Sequence, residues 1–432
     1  MVIQLMIVLL ALYVGARYGG LALGSVAGIG LAILVFGFGM KPGNPPSEVI
    51  YIIIAAVTCA ATLQSAGGME WLIQLAEKIL RKHPEHIIIL APFCTFFLTV
   101  LVGTGHVVYT LMPIIADISL RKGIRPERPC AVSSVSSQIG IVCSPIAAAV
   151  SSFVAISNLN GFAVTIPQVI LVTLPASAIG VLAAALCSLR WGKDLDKDPE
   201  FQARLADPAT REYMFGDSAS VLNKQIPASA KASVFIFFAA IAAIILIAAS
   251  GYKGTKMSTV IQIVMLTAAA LMILCCKTNP KKIVYSSVWQ GGMVAVVAIY
   301  GIAWLADTYF ANYIDVLRAG LGGIAKACPW AIAFVFFFVS VLINSQGAVV
   351  VSMLPLAYSL GIPGPILLGV LPSVYGYFFI PNYPSDIATV NFDKSGTTRI
   401  GKYLLNHSFM MPGLVSVTVS TLAGLAIASL VY

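Results

Sequence analysis

The chain is poor in charge: Lys, Arg, Asp and Glu make up 10% of its 432 residues, and only four histidines occur. Soluble domains carry roughly a quarter of charged residues, so this scarcity beside 59% hydrophobic residues excludes a soluble globular fold. No H-E-x-x-H, G-x-x-x-x-G-K-[ST] or G-x-S-x-G sequence occurs, which removes the sequence grounds for a metalloprotease, an ATP-driven pump or a serine hydrolase. The eight cysteines form no C-x-x-C pair and mostly lie in or beside apolar runs, as small core residues do. The first apolar run, Val2 to Ala16, has no basic residue before it and no small-residue cleavage pattern, so it is read as a retained helix.

What the chain does have is a succession of apolar runs near the length of about 20 residues that a spanning helix needs, and none of the alternating ten-residue segments of a barrel. An all-α polytopic membrane protein is expected. The runs fall at 2–16, 20–39 and 49–67, followed by an amphipathic stretch over 69–83, two arms at 87–102 and 107–120, and long segments at 128–158 and 163–190. The same order returns at 232–250, 257–276, 284–303, an amphipathic stretch over 305–327, arms at 330–343 and 348–360, and segments at 364–392 and 404–431. Two repeats are therefore expected, 1–190 and 232–432, joined by a hydrophilic linker over 191–231. Hairpins lie at about 87–120 and 329–360, and broken helices at about 128–158 and 364–392.

Each repeat carries a short polar interruption between its arms, Gly103-Thr104-Gly105-His106 in the first and Asn344-Ser345-Gln346-Gly347 in the second. Both following helices are disrupted as well, at Gln138 through Pro145 and at Pro381-Asn382-Tyr383-Pro384, where proline removes a backbone donor and crowds the preceding turn. In hydrocarbon, an interrupted helix persists only where its freed backbone groups meet protein or a water-filled cavity. Paired interruptions at corresponding places mark the substrate sites of inverted-repeat transporters.

If both pairs of arms are re-entrant, 21 of the 26 basic residues fall on one face, and Lys41, Lys253, Lys256, Arg318 and Lys326 on the other. That bias marks the rich face as cytoplasmic, puts both termini outside and inverts the repeats relative to one another. The net charge of +9 thus reports orientation in the loops, not a nucleic-acid surface.

Helix N-termini exposed at such tips carry partial positive charge and bind anions. Thr104, Asn344, Ser345, Gln346, Gln138 and Ser144 add hydroxyl and amide groups, and Gly103, Gly105 and Gly347 let a ligand approach the backbone. Any one of these is more often a packing residue at a helix crossing; two matched clusters carry more weight. His106 is the one basic side chain at either tip, able to pair with a carboxylate or to hold a structural hydrogen bond. Asp386, just past the Tyr383-Pro384 break, is a candidate for sodium or proton coupling, or a cap for the helix that restarts there. The aromatic run Tyr375, Tyr377, Phe378, Phe379 is read as packing, and no resident cofactor is expected.

The stretches Gly103–Thr110, Arg125-Pro126-Glu127-Arg128-Pro129, Gly192–Asp198, Tyr300–Trp304, Tyr375-Gly376-Tyr377, Tyr383–Asp386 and Ser395–Gly401 resemble the anaerobic C4-dicarboxylate transporter (Dcu) family from end to end, and within it the DcuB-type fumarate/succinate exchangers. The resemblance implies a bacterial inner-membrane carrier that takes up fumarate, malate or aspartate and exports succinate during anaerobic respiration. It also implies an elevator-like architecture, commonly dimeric, and contact with a membrane sensor kinase through segments such as Lys394–Lys402. The chain departs from the family pattern at Gly347, where alanine is usual. On this resemblance Thr104, Gly105 and His106 serve one carboxylate and Asn344, Ser345 and Gln346 the other, with Gln138, Ser144 and Tyr383 lining the breaks. A small-anion channel is the alternative that the residues alone leave open.

Cysteine-accessibility labelling of 121–128 and of 360–363 tests the inverted arrangement. Modification from opposite sides of the membrane is expected, and modification from one side overturns it.

Overall fold

The computed structural model describes every residue except Gly19, Asp217, Ser218, Gly251, Lys253, Asn382 and Leu404, and gives the backbone alone at Ala16, Ala248, Ala249, Ile314 and 317–326. Lys253 and Asn382, both used in the sequence reading, therefore lie outside the described residues. The first half runs α1 (Val2–Tyr18), α2 (Ala22–Ala32, extended by a wider turn through Gly37), α3 (Ser47–Ser65), α4 (Gly68–Lys82), α5 (Ile87–Val102), α6 (Val108–Arg121), α7 (Glu127–Ile139), α8 (Ala148–Leu159) and α9 (Ile166–Ser188). Two short helices follow, α10 (Pro199–Ala206) and α11 (Pro208–Phe215). The second half runs α12 (Ala228–Ala249), α13 (Met257–Cys275), α14 (Pro280–Ile283), α15 (Ser287–Ala327), α16 (Ile332–Ile343), α17 (Gln346–Ser359), α18 (Gly364–Gly369), α19 (Pro384–Phe392) and α20 (Met410–Val431). Among the described residues no strand occurs, and eight helical stretches are long and apolar enough to cross a membrane, so the chain is a multi-pass membrane protein.

Three of the four hairpin arms are shorter than the spanning helices. Helices α6 and α17 have 14 residues each and α16 has 12, about 18–21 Å at 1.5 Å per residue, against a hydrocarbon core of about 30 Å. These three arms are each shorter than a full span, whereas α5, with 16 residues and a 3₁₀ turn over Pro84–His86 before it, is among the eight long stretches.

Packing between the halves is reciprocal. Helix α2 lies on α15 as α13 lies on α3, and α17 packs on α8 as α6 packs on α19; α3 meets α15, and α9 meets α20. Exchange of partners in this way is what a two-fold relation between two similar units produces. The α2–α15 crossing is close enough that a Cβ at Gly24 would meet the Val297 carbonyl and one at Gly301 the Gly24 carbonyl, the small-residue contact by which helices approach in lipid.

Two differences from the sequence reading stand out. Separate elements over 284–303 and 305–327 are not found; α15 is one helix of 41 residues. In the first half Gly67, at φ +84°, turns the chain between α3 and α4, whereas Ala303-Trp304-Leu305-Ala306 offers no such residue and the helix continues. The second break also opens earlier than Pro381: after α18 the chain makes a short 3₁₀ turn over Leu371–Val374 and is irregular from Tyr375 to Pro381, and α19 begins at Pro384.

The hydrophilic linker is docked. Arg125 donates to Glu127 at 2.6 Å and to Asp198 at 2.5 Å, and Arg128 donates to Asp194 at 2.9 Å. Arg204 on α10 donates to the Ser395 carbonyl at 2.6 Å, and Glu127 accepts from Ser408 at 2.6 Å. These contacts fasten the linker to the ends of both broken helices. Burial opposes ionisation of Asp198, but Arg125 and the amides of Phe201 and Glu200 at the start of α10 outweigh it and hold the carboxyl below its usual 3.8.

Arg125→Ala strands Glu127 and Asp198 beside a buried position, so a loss on the order of 3 kcal/mol is expected, read as a lower Tm in detergent and faster proteolysis within 199–216. Because the folded pKa of Asp198 is depressed, its contribution is complete above its unfolded value and fades as pH falls through the folded one. Cleavage in the wild type should accordingly accelerate only below about pH 4.

Candidate functional site

The two tips have the same local build, residue for residue. At the end of α5, Gly103 takes a left-handed conformation, φ +79°, and its amide closes on the Thr99 carbonyl at 2.7 Å; at the end of α16, Asn344 does the same, φ +54°, with its amide on Ser340 at 3.1 Å. The next residue in each case is extended and carries a hydroxyl that caps the following turn. Thr104 accepts from the His106 amide at 3.4 Å, and Ser345 accepts from the Ala348 amide at 3.4 Å. A left-handed residue ends one arm and a hydroxyl cap begins the other, so both second arms present their N-termini at the tips.

Both tips face one cavity of about 590 Å³. Thr104, Gly105, His106, Gln138, Asn344, Ser345, Gln346 and Tyr383 all line it. The opposite wall is built from small and apolar residues of α3 and α15, among them Ala56, Val57, Ala60, Gly291, Gly292 and Ala298. Gly291 admits the imidazole: a Cβ there would stand 2.7 Å from His106 Cε1. The Thr104 hydroxyl lies 2.6 Å from His106 Nδ1. That oxygen has two lone pairs and one proton, so it serves either tautomer of the ring, donating to Nδ1 or accepting from it.

Two of the expected site residues stand behind the cavity wall. Ser144 is fully buried, its hydroxyl accepting from the Ile146 amide at 3.4 Å and lying where a Cβ on Gly103 would approach it. Asp386 is buried below Tyr383 and Pro384, with Oδ1 accepting from the Ser134 hydroxyl at 2.7 Å; among the described residues Oδ2 has no hydrogen-bond partner. Its side chain caps no helix, because the N-cap of α19 is Tyr383 and Asp386 sits in the first turn.

A polar knot behind the cavity joins elements of both halves. The Tyr377 hydroxyl donates to Gln138 Oε1 at 2.8 Å, and Gln346 Nε2 donates to the Gln138 carbonyl at 2.8 Å and to the Tyr377 oxygen at 3.2 Å. Gln138 Nε2 reaches Ser137 at 3.3 Å and Ser385 at 3.4 Å. The Gln138 amide also packs against Gly105 so closely that a Cβ there would overlap it, which gives that glycine a steric reason. Tyr377 was not singled out from the sequence, since its position in an aromatic run resembled packing; its hydroxyl was the available signal. Tyr109, whose ring stacks on His106 at 5.8 Å, was likewise missed.

The geometry can hold a small anion: two helix N-termini with hydroxyl and amide donors, a wall of small and apolar residues, and no carboxylate among the described lining residues.

The sequence pattern described as anaerobic C4-dicarboxylate membrane transporter matches residues 1–432. The chain is 45% identical over 432 residues to the anaerobic C4-dicarboxylate transporter DcuB of Escherichia coli O157:H7, covering 98% of this chain and 97% of the relative. It is 35% identical over 438 residues to the C4-dicarboxylate transporter DcuA of Wolinella succinogenes, and 34% identical over 438 residues to DcuA of Escherichia coli K12, covering 99% of both chains in each case.

Tyr377→Phe leaves Gln138 Oε1 without its donor, a loss of about 1–3 kcal/mol. Substrate binding to the purified protein is expected to weaken about tenfold or more with the helical content unchanged. Gly105→Ala should abolish binding, and calorimetric titration of both variants provides the check.

Proposed function

Because the chain belongs to the anaerobic C4-dicarboxylate membrane transporter family, we propose that it exchanges C4-dicarboxylates across a bacterial inner membrane, with fumarate, malate or aspartate entering and succinate leaving. As a member of that family it is a transporter and not an enzyme. The observation that carries the substrate assignment is the matched build of the two tips on one cavity. A C4-dicarboxylate has a carboxylate at each end, and each end meets one helix N-terminus: Thr104, Gly105 and His106 at one, Asn344, Ser345 and Gln346 at the other. Gln138 and Tyr383 line the breaks, and Ser144 supports the first tip from behind.

The reciprocal packing of 1–190 against 232–432 supports inverted repeats. The small-residue wall from α3 and α15 is suited to a scaffold past which the hairpins and broken helices move in an elevator-like cycle. Both termini lie in the periplasm on this reading, following the basic-residue bias. Asp386, with one carboxylate oxygen unengaged beside the site, is the coupling group for a proton or sodium ion. The exposed apolar side chains of the spanning helices face lipid or a second copy in a dimer, and Lys394–Lys402 is the segment available to a sensor kinase.

Exchange in reconstituted vesicles provides the test. Vesicles preloaded with succinate should take up labelled fumarate, and empty vesicles should not. Thr104→Ala and Asn344→Ala should each lower the exchange rate about tenfold or more, consistent with loss of one buried hydrogen-bonding group. Unchanged exchange in both variants removes the two-tip assignment, and uptake without internal succinate points to a channel.

A further inference from the structure

Arg17 occupies the last turn of α1 and lines the same cavity as the two tips. Among the described lining residues it is the one permanently charged side chain, and no Asp or Glu is present to neutralise it. Five other arginines are paired with carboxylates, Arg81 with Glu77, Arg121 with Asp117, Arg125 with Glu127, Arg128 with Asp194 and Arg399 with Glu200, and Arg204 is held by the Ser395 carbonyl. Arg17 is exposed and has no acidic partner among the described residues. A cation at a helix C-terminus also suits the helix dipole and the basic-residue bias. Neither of those accounts for its facing a cavity whose remaining lining is neutral or apolar.

From this placement we propose that Arg17 draws the dianionic substrate into the cavity and sets the apparent affinity on the face of the membrane where it lies. The inference deepens the transport reading above and depends on it. Helix α1 packs on α2, on α15 and on the hairpin arm α16. Arg17, exposed at the C-terminal end of α1, lies outside both tip sequences and meets the substrate where the cavity opens. A single cation there, in a cavity with low-dielectric walls, raises the local concentration of a dianion, and the effect extends over about the Debye length of 8 Å at physiological salt. An exposed guanidinium–carboxylate pair is weak, so the effect is a few-fold one on entry and release.

The face dependence makes the proposal testable. In right-side-out and inside-out vesicles, Arg17→Gln is expected to raise the KM for succinate about threefold to fivefold on the Arg17 face, with a clearly smaller change on the other. Arg17→Lys should restore most of the difference, because attraction at this range needs charge and not the guanidinium fork. In the wild type, which requires no variant to fold, raising ionic strength should raise KM more on the Arg17 face than on the other. Equal salt dependence on the two faces, equal shifts in Arg17→Gln, or failure of Lys to restore affinity overturns the proposal. Wild-type vesicles that exchange no C4-dicarboxylate from either face overturn the transport reading instead, so the two failures are distinguishable.

Discussion

A backbone amide in hydrocarbon has no water to bond, and that constraint organises this molecule. Spanning helices satisfy it internally. Four places violate it, the two hairpin tips and the two broken helices, and in the folded chain all four converge on one cavity. The freed amides are answered locally where they can be, by Thr104 for His106 and by Ser345 for Ala348, and the rest of the exposed helix N-terminal character faces the cavity. A site for an anion is in this sense what remains when interrupted helices have been made tolerable.

Much of this was legible in the sequence because interruptions are local. Gly103-Thr104-Gly105-His106 and Asn344-Ser345-Gln346-Gly347 stand out from their apolar flanks, and in the folded chain Gly103 and Asn344 are left-handed ends and Thr104 and Ser345 are caps. The prolines near 145 and 384 likewise locate the breaks. What escaped depends on partners far along the chain. Tyr377 becomes part of the site through Gln138, 239 residues away, and Gln346 through the carbonyl of the same Gln138, 208 residues away. Ser144 is buried behind the cavity lining, since a polar residue at a break can turn inward as easily as toward the cavity. The continuity of α15 was hidden because amphipathic periodicity continues smoothly from a spanning pattern, with no glycine to stop it.

Arginine 17 illustrates a different limit. In sequence it is one basic residue among many in loops, and its value for topology obscured its value for the site. Only the return of α15 and of both tips to the end of α1 makes it the charged member of a cavity lining.

The likeness of the two tips does not make the site symmetric. Tip one is closed on itself, its cap shared between the His106 amide and the imidazole, and it touches the opposite wall through Gly291. Tip two is tied by Gln346 to Gln138 and Tyr377, hence to both broken helices at once. The break in the first half has a 3₁₀ turn over Gly140–Cys143 before Ser144, while the second is irregular from Tyr375 to Pro381. On the proposed two-tip assignment, one end of the substrate would meet an adjustable donor, the imidazole, and the other a donor set fixed by buried hydrogen bonds. Discrimination among dicarboxylates that differ at one end requires that inequality; two identical halves would read both ends of a C4 acid alike.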